Sequence, residues 1–261
     1  MKPLFLGNTA RRLYGVYHSP LRTSRHAVLL CYPGMQEYNA AHWAFRRLAA
    51  MLARDGHHVL RFDYFGTGDS AGDSRDGHPD GWVEDVKQAA QELRDLSGAR
   101  ELSVVGMRLG AAFATLASSA GLRVRRLVLW EPVIDGRAYV RELELWDSRR
   151  NLMLLHSSRT RDRKTELLGH PFPAAVRNAT EALDLTRVGA PRADKALILA
   201  AEPRGEHEAF KAVLEKHGVA TALKRVMESA TNGEQEVRER ALLSNTALLD
   251  MAEELRGVLS A

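Results

Sequence analysis

One segment of the sequence has the spacing of a catalytic turn but carries an unusual residue at its centre. Gly106-Met107-Arg108-Leu109-Gly110 follows the apolar run Leu102–Val105 and precedes an alanine-rich stretch from Ala111 to Ala120. A strand, a sharp turn flanked by small residues and a helix form the architecture of a nucleophile elbow. Here the central residue is Arg108, which stays protonated at neutral pH and offers no lone pair for attack on a carbonyl. The sequence therefore predicts that ordinary serine-type nucleophilic catalysis is absent.

An arginine at this turn needs an anionic neighbour. A buried guanidinium without a partner costs several kcal/mol of desolvation, so we expect at least one carboxylate within hydrogen-bond reach of Arg108. Glu37, Asp63 and Glu131 each follow a predicted strand closely. Because the carboxyl ends of parallel strands share one edge of a sheet, these three carboxylates are the candidates.

Two interpretations of this edge remain open. In one, an ion pair fills a former active site. In the other, Arg108 holds a carboxylate, phosphate or sulfate of a small ligand, helped by backbone N–H groups of Leu109 and the Gly34-Met35 turn and by the dipole of the following helix. The residues that we name as candidates for the pocket are Cys31, Gly34, Met35, Glu37, His42, Asp63, Met107, Arg108, Leu109 and Glu131.

Strand and helix patterns alternate along the chain. Short runs at Pro3–Leu6 and Arg12–His18 predict an antiparallel hairpin at a sheet edge, and the later alternation predicts parallel βαβ units with helices on both faces. The other predicted strands are 25–31, 58–62, 102–105, 126–130, 196–201 and 222–227, and the predicted helices are 40–55, 82–96, 111–120, 207–216 and 242–258. His57 and His58 open a strand and are expected to be exposed. We predict one α/β domain over 1–261, with a mostly helical cap-like insertion at about 136–192.

Three landmarks carry a family resemblance. The elbow, the loop Cys31–Glu37 and the segment Arg61–Ser70 with its Gly66-Thr67-Gly68 core resemble, in order and spacing, the α/β-hydrolase fold. The Gly-x-Arg-Leu-Gly elbow, the Cys-x-Pro-x-x-x-Glu loop and Leu129–Gly136 look like bacterial exosortase-A-system-associated hydrolases of type 2 and their serine-aminopeptidase-like relatives. That resemblance implies a hydrolase by fold, associated with surface-polysaccharide or protein-export genes.

The general family uses a serine nucleophile, a histidine after the last strand and an acid after the preceding strand. Glu202 or Glu206 matches the acid position, but His217 is the last histidine and precedes the predicted final strand. At the family's positions, the sequence therefore lacks both the histidine base and the serine nucleophile of the triad. Cys31, although near the same sheet edge, is expected to be a buried structural residue.

Composition excludes several other classes. The formal net charge is +4 and the cations are scattered, which does not favour nucleic-acid binding. No run could span a membrane, and the residues from Met1 to Gly7 lack the apolar run and cleavage site of a signal peptide, so we expect a cytoplasmic protein. One cysteine and no paired histidines predict no metal, and the glycine spacing predicts no nucleotide cofactor.

Three functions remain open from the sequence. The first is a non-catalytic protein that binds a small anionic or acyl ligand. The second is a scaffold or partner subunit, forming a homodimer or binding another protein through 136–192. The third is a serine-independent ester or thioester hydrolase in which Glu37, Asp63 or Glu131 activates water and Arg108 stabilises charge.

Overall fold

A computed structural model describes residues 1–21, 24–35, 37–153, 165–226 and 245–259. Its strands are β1 (Lys2–Leu6), β2 (Leu13–His18), β3 (His26–Cys31), β4 (His58–Phe62), β5 (Glu101–Met107), β6 (Val124–Trp130), β7 (Glu166–Leu167), β8 (His170–Pro171), β9 (Ala193–Ala200) and β10 (Ala220–Arg225). Its helices are α1 (Glu37–Arg54), α2 (Pro79–Ser97), α3 (Leu109–Ser119), α4 (Gly136–Met153), α5 (Ala174–Glu181), α6 (Gly205–Lys216) and α7 (Asn245–Leu259).

Eight strands form one twisted sheet in the order β1-β2-β4-β3-β5-β6-β9-β10. β1 pairs antiparallel with β2, and β2 pairs antiparallel with β4, whereas the remaining pairs are parallel. Helices α1 and α7 pack together against the sheet, as do α2 and α3. The predicted edge hairpin and the mostly parallel sheet flanked by helices are confirmed.

The central strands are buried because their sequences are almost entirely apolar. In β3, every residue from Ala27 to Cys31 is buried, which is typical of a strand covered by helices on both faces. Helix α2 shows why the flanking helices begin and end where they do. The ring of His78 accepts a hydrogen bond from the N–H of Asp80, Pro79 occupies the first turn, and Gly98 ends the helix in a left-handed conformation.

Two glycines allow the strand–turn–helix segment to pack tightly. A Cβ atom on Gly110 would lie 2.3 Å from the carbonyl oxygens of both Cys31 and Tyr32, and one on Gly106 would lie 2.5 Å from the Gly110 oxygen. Only glycine permits such close backbone approach. The start of α3 is therefore held directly against the end of β3, which places the two loops at this edge side by side.

The structure corrects the expected exposure of His57 and His58 and shifts some boundaries. His58 is half-buried, and its Nδ1 forms a hydrogen bond with the hydroxyl of Tyr17. His57 was expected to be exposed, but only 1% of it is accessible because α7 packs over it, with its ring against that of His26. The last strand runs over Ala220–Arg225 rather than 222–227, and Met227 lies outside the described residues. The first three residues of the predicted helix 242–258 also lie outside them, and α7 continues to Leu259.

The segment 136–192 consists of α4, the short β7-β8 hairpin, α5 and a single 3-10 turn, apart from residues 154–164, which the structure does not describe. Its mostly helical character agrees with the sequence pattern. Its role as a cap or partner surface stays a prediction. Within the described part of the chain, no helix combines the length and apolar character needed to cross a bilayer.

Alanine at two helical glycines should have opposite effects. Gly110→Ala should lower the free energy of unfolding by about 1–3 kcal/mol or more, because its Cβ atom meets rigid backbone. Gly257→Ala should raise it by about 0.5–1 kcal/mol, because Gly257 is an exposed residue of α7 with no described atom within 4 Å of an added Cβ. Urea unfolding measures both, and equal effects would contradict the packing described for Gly110.

Burial of His57 should make stability depend on pH. Desolvation, with His26 acting in the same direction, lowers the pKa of His57 to about 4. An unfolded histidine titrates near 6.5, so the unfolded chain binds this proton first. The free energy of unfolding should therefore fall as pH drops from about 6.5 toward 4, by at most about 3 kcal/mol from this residue.

Urea titrations at pH 7.5, 6 and 5 test this dependence. His57→Gln should flatten the slope, whereas His217→Gln, which changes an exposed ring, should leave it unaltered. A slope that persists in full in His57→Gln would assign the effect to other groups.

Candidate functional site

Arg108 occupies the sharp turn between β5 and α3. Its backbone angles are φ 53° and ψ −120°, a conformation that side-chain-bearing residues rarely adopt. Its N–H donates to the carbonyl oxygen of Trp130 at 3.0 Å, and its own carbonyl accepts from Ala111 at 3.1 Å. These bonds fix the turn between the neighbouring strand and the first turn of α3.

The guanidinium of Arg108 is paired with two carboxylates. Its Nε donates to Oε1 of Glu37 at 2.8 Å, and its Nη2 donates to Oε1 of Glu142 at 2.9 Å. Glu37 begins α1 and Glu142 lies on α4, so one side chain links the central turn to two helices. The expected carboxylate contact of Arg108 is therefore present, at Glu37.

Tyr139 completes this arrangement. Its hydroxyl donates to Oε2 of Glu37 at 3.0 Å, and its ring centroid lies 5.1 Å from Cζ of Arg108, within cation–π range. Arg108, Glu37, Glu142 and Tyr139 together are called the elbow network below. No sequence pattern singles out Glu142 or Tyr139, although their spacing of three residues places them on one face of a helix.

Two carboxylates keep Arg108 in its charged form. Burial acts to lower the pKa of Arg108, but Glu37 and Glu142 outweigh it and raise that pKa above its ordinary value. Burial and Glu37 likewise hold the pKa of Tyr139 well above its ordinary value, so the phenol stays neutral. One cation therefore faces two carboxylates and a neutral donor, and the network is poorly suited to receive a further anion at Arg108.

Strained backbone gathers at the same edge of the sheet. Among the described residues, four non-glycine residues have positive φ, and three of them, Met35, Arg108 and Glu131, follow β3, β5 and β6. Such conformations cost about 1–3 kcal/mol each and cluster at functional sites. Glu131 accepts a hydrogen bond from the N–H of Ala201, beyond the end of β9, and does not pair with Arg108, whose carboxylate partners are Glu37 and Glu142.

Asp63 belongs to a separate polar group beside α1. Its Oδ1 accepts from the hydroxyl of Tyr38 at 2.7 Å and its Oδ2 from the N–H of Asp69 at 3.0 Å. Burial raises the pKa of Asp63, while those hydrogen bonds oppose the shift. His42 lies exposed on α1 with its ring stacked on Tyr32, and burial lowers its pKa. Asp63 and His42 are thus close to each other but not part of the elbow network.

The remaining candidates have mainly structural surroundings. Met107 and Leu109 are fully buried on either side of Arg108, and a Cβ on Gly34 would contact Leu109. Cys31 is inaccessible, and burial raises the pKa of its thiol, which disfavours the nucleophilic thiolate. At the acid position, Glu202 is exposed and pairs with Arg204 at 3.2 Å, and Glu206 is an exposed residue of α6.

Comparison with known proteins places this geometry in a family. The family model for serine aminopeptidase S33 matches residues 23–182, more than half of the chain. A comparison with curated proteins finds no similar sequence.

Solved structures resemble the chain over nearly its whole length. Est1E from Butyrivibrio proteoclasticus with ferulic acid bound has 15% identity and a TM-score of 0.65, over 92% of this chain and 96% of that one. Mouse α/β hydrolase domain-containing protein 10 has 16% identity and a TM-score of 0.64, over 100% and 99%. The bottromycin epimerase BotH in complex with Bottromycin A2 has 17% identity and a TM-score of 0.61, over 99% and 100%.

At such identities the likeness concerns the fold alone, because one fold hosts many functions. The sheet order, the turn at Arg108 and the match over residues 23–182 agree with one another: the chain has the α/β-hydrolase fold and belongs to the serine aminopeptidase S33 family.

Proposed function

We propose that this chain is a non-catalytic member of its family, a ligand-binding or accessory protein in which the elbow network replaces a nucleophile. The observation that carries the proposal is the pairing of Arg108 with Glu37 and Glu142 at the turn between β5 and α3. A guanidinium held in this way cannot attack a carbonyl or accept a proton at neutral pH. The turn instead fastens α1 and α4 to the central strand.

The other groups needed for serine-type hydrolysis support the same proposal. Residues 226–261 contain no histidine, so no imidazole from this stretch can serve as the base. The exposed Glu202 bonds to Arg204 rather than orienting a ring. Cys31 offers no substitute nucleophile, because it is buried and its thiol is held protonated.

Water activation by a carboxylate is the competing function. Asp63 favours it in one respect, because its pKa is raised toward the range of a general base. Both oxygens of Asp63, however, accept hydrogen bonds from protein groups, and so do both oxygens of Glu37. In neither carboxylate, therefore, is an oxygen left free of protein hydrogen bonds to accept a proton from water.

The ligand class at this edge follows from the charges. Glu37 and Glu142 occupy two donors of Arg108, so an anionic group would have to displace a carboxylate and meet repulsion from both. An acyl or otherwise uncharged ligand avoids this cost. The exosortase-associated subtype belongs to this proposal too and rests on the Gly-x-Arg-Leu-Gly and Cys-x-Pro-x-x-x-Glu segments.

The purified protein should not hydrolyse simple acyl substrates above the buffer rate. We expect this for p-nitrophenyl acetate and butyrate, an acyl thioester and leucine p-nitroanilide, because neither a nucleophile nor its base is in place. A fluorophosphonate probe should also fail to label the chain. Turnover at about 1 s⁻¹ or faster, the ordinary range of enzymes, would overturn the proposal.

Two variants make the assay diagnostic. Arg108→Ser should remain inactive and unlabelled, because a serine alone lacks a base. Asp63→Asn should equal the wild type, whereas a wild-type rate that disappears in Asp63→Asn would establish the competing carboxylate function. Circular dichroism confirms that each variant is folded.

The elbow network should contribute to stability as a buried ion pair does. Arg108→Met should lower the free energy of unfolding by about 3–5 kcal/mol, because it leaves Glu37, which is 2% exposed, without its cation. Glu142→Gln should cost less, since Glu142 is more exposed and its amide can still accept from Nη2. Urea unfolding at pH 7.5 provides the comparison.

The matched control is an arginine in a surface pair. Arg123 bonds to Asp194 at 3.2 Å and is 72% exposed, so Arg123→Met should change stability by no more than about 1 kcal/mol. If Arg108→Met changes the free energy of unfolding by as little as Arg123→Met does, the elbow network does not hold the helices in place.

A further inference from the structure

An arginine more deeply buried than Arg108 lies outside the elbow network. Arg61 is a residue of β4 and is 6% exposed. Its Nε donates to Nε2 of His18 at 3.2 Å, and its Nη1 donates to the hydroxyl of Tyr32 at 2.8 Å and lies 3.4 Å from Nε2 of His42. Arg61 is thus enclosed between the sheet and α1 by two histidines and a tyrosine.

All three neighbours of Arg61 are neutral. Burial, with Arg61 acting in the same direction, lowers the pKa of His18 to about 4. Burial raises the pKa of Tyr32 to about 12, and burial followed by Arg61 lowers that of His42. Within the described ranges, no carboxylate oxygen lies within 4.0 Å of the guanidinium, and the nearby Asp63 bonds to Tyr38 and Asp69 instead.

The neutral surroundings of Arg61 are unusual for a buried charge. Buried cations are paired with anions because desolvation of an unpaired ion costs several kcal/mol. Neutral acceptors satisfy part of the hydrogen-bonding capacity of Arg61 but none of its charge. The site therefore retains an excess positive potential next to α1.

Further cations reinforce that potential. Arg46, one turn after His42 on the exposed face of α1, contributes to the lowered pKa of both His18 and His42, and the N-terminal amine contributes to that of His18. Asp63 and Asp69 act in the opposite direction on His42. The two aspartates follow β4 in the chain, and Asp63 affects His42 more than Arg46 does, whereas the charges that act on His18 are all cations, namely Arg61, the N-terminal amine and Arg46.

One donor of Arg61 remains available. Among the described residues, Nη2 has no hydrogen-bond partner, yet it is not one of the fully buried polar atoms that lack one. The small exposed fraction of Arg61 therefore includes Nη2. The exposed ring of His42 lies next to the same guanidinium, with its Nε2 3.4 Å from Nη1.

We propose that Arg61, His42 and Arg46 form a binding site for the tetrahedral oxyanion group, a phosphate or sulfate ester, of a small ligand. Nη2 of Arg61 donates to the oxyanion from within, the His42 ring supplies a second donor, and Arg46 supplies charge at the rim. The site goes beyond the function proposed for the elbow network, since it uses none of those residues.

Sulfate and phosphate are the probes, at constant ionic strength set with sodium chloride. The histidine ring protons are followed by NMR from pH 5 to 8, with and without added sulfate. Sulfate is the anion used here because its charge does not change over this pH range. Bound sulfate should raise the pKa of His42, because an added anion favours the protonated ring. Rings distant from the site, such as His217, should not respond.

Two variants on α1 distinguish binding at this site from nonspecific attraction of anions to a basic surface. Arg46→Ala should weaken sulfate and phosphate binding about fivefold, the effect of one surface charge contact, whereas Arg54→Ala, also exposed on α1, should leave it unchanged. Arg61→Gln should abolish binding. If Arg61→Gln does not fold, His42→Ala, an exposed substitution, serves in its place and should weaken binding at least as much as Arg46→Ala.

Several results would overturn the proposal. These are an unchanged His42 titration at 50 mM added sulfate, equal losses in Arg46→Ala and Arg54→Ala, or acetate bound as tightly as sulfate. Catalytic assays do not enter this test, so failure here leaves the function proposed for the elbow network standing, and the reverse also holds.

Discussion

A charged side chain buried at the central turn of the sheet must be neutralised where it stands. Arg108 lies in the sharp turn after β5, and only 12% of its side chain is exposed, so water solvates its guanidinium poorly. Glu37 and Glu142 supply the compensating charge, and each comes from a different helix. The position of α1 relative to α4 is therefore tied to the electrostatics of one residue.

Close backbone packing makes that constraint effective. Gly110 allows α3 to begin against the last residues of β3, and the chain then continues into the loop that leads to Glu37. A larger residue at Gly110 would move Arg108 away from Glu37. Gly110 and Arg108 thus act together. Gly110 lets the two loops approach each other, and Arg108 forms an ion pair across that contact.

The sequence was informative where a local pattern determines structure. Apolar runs and helical periodicity predicted the parallel sheet and its hairpin edge, and topology predicted three carboxylates near Arg108, of which Glu37 alone pairs with it. Glu142 could not be found this way, because it lies on α4, well past the end of β6, and its orientation depends on how that helix packs. His57 was misjudged for a similar reason, since α7, distant in sequence, buries it.

Arg108 and Arg61 show how differently one fold surrounds the same charge. Arg108 meets two carboxylates and is overcompensated, whereas Arg61 meets only neutral groups and is undercompensated. An anion approaching Arg108 would encounter carboxylates already bonded to it, while an anion approaching Arg61 would meet an unsatisfied cation. Ligand charge therefore selects between them: the central turn favours uncharged groups, and the space between β4 and α1 favours an oxyanion. A ligand carrying both kinds of group would need to reach from one to the other along the carboxyl edge of the sheet, past Tyr38 and Asp63.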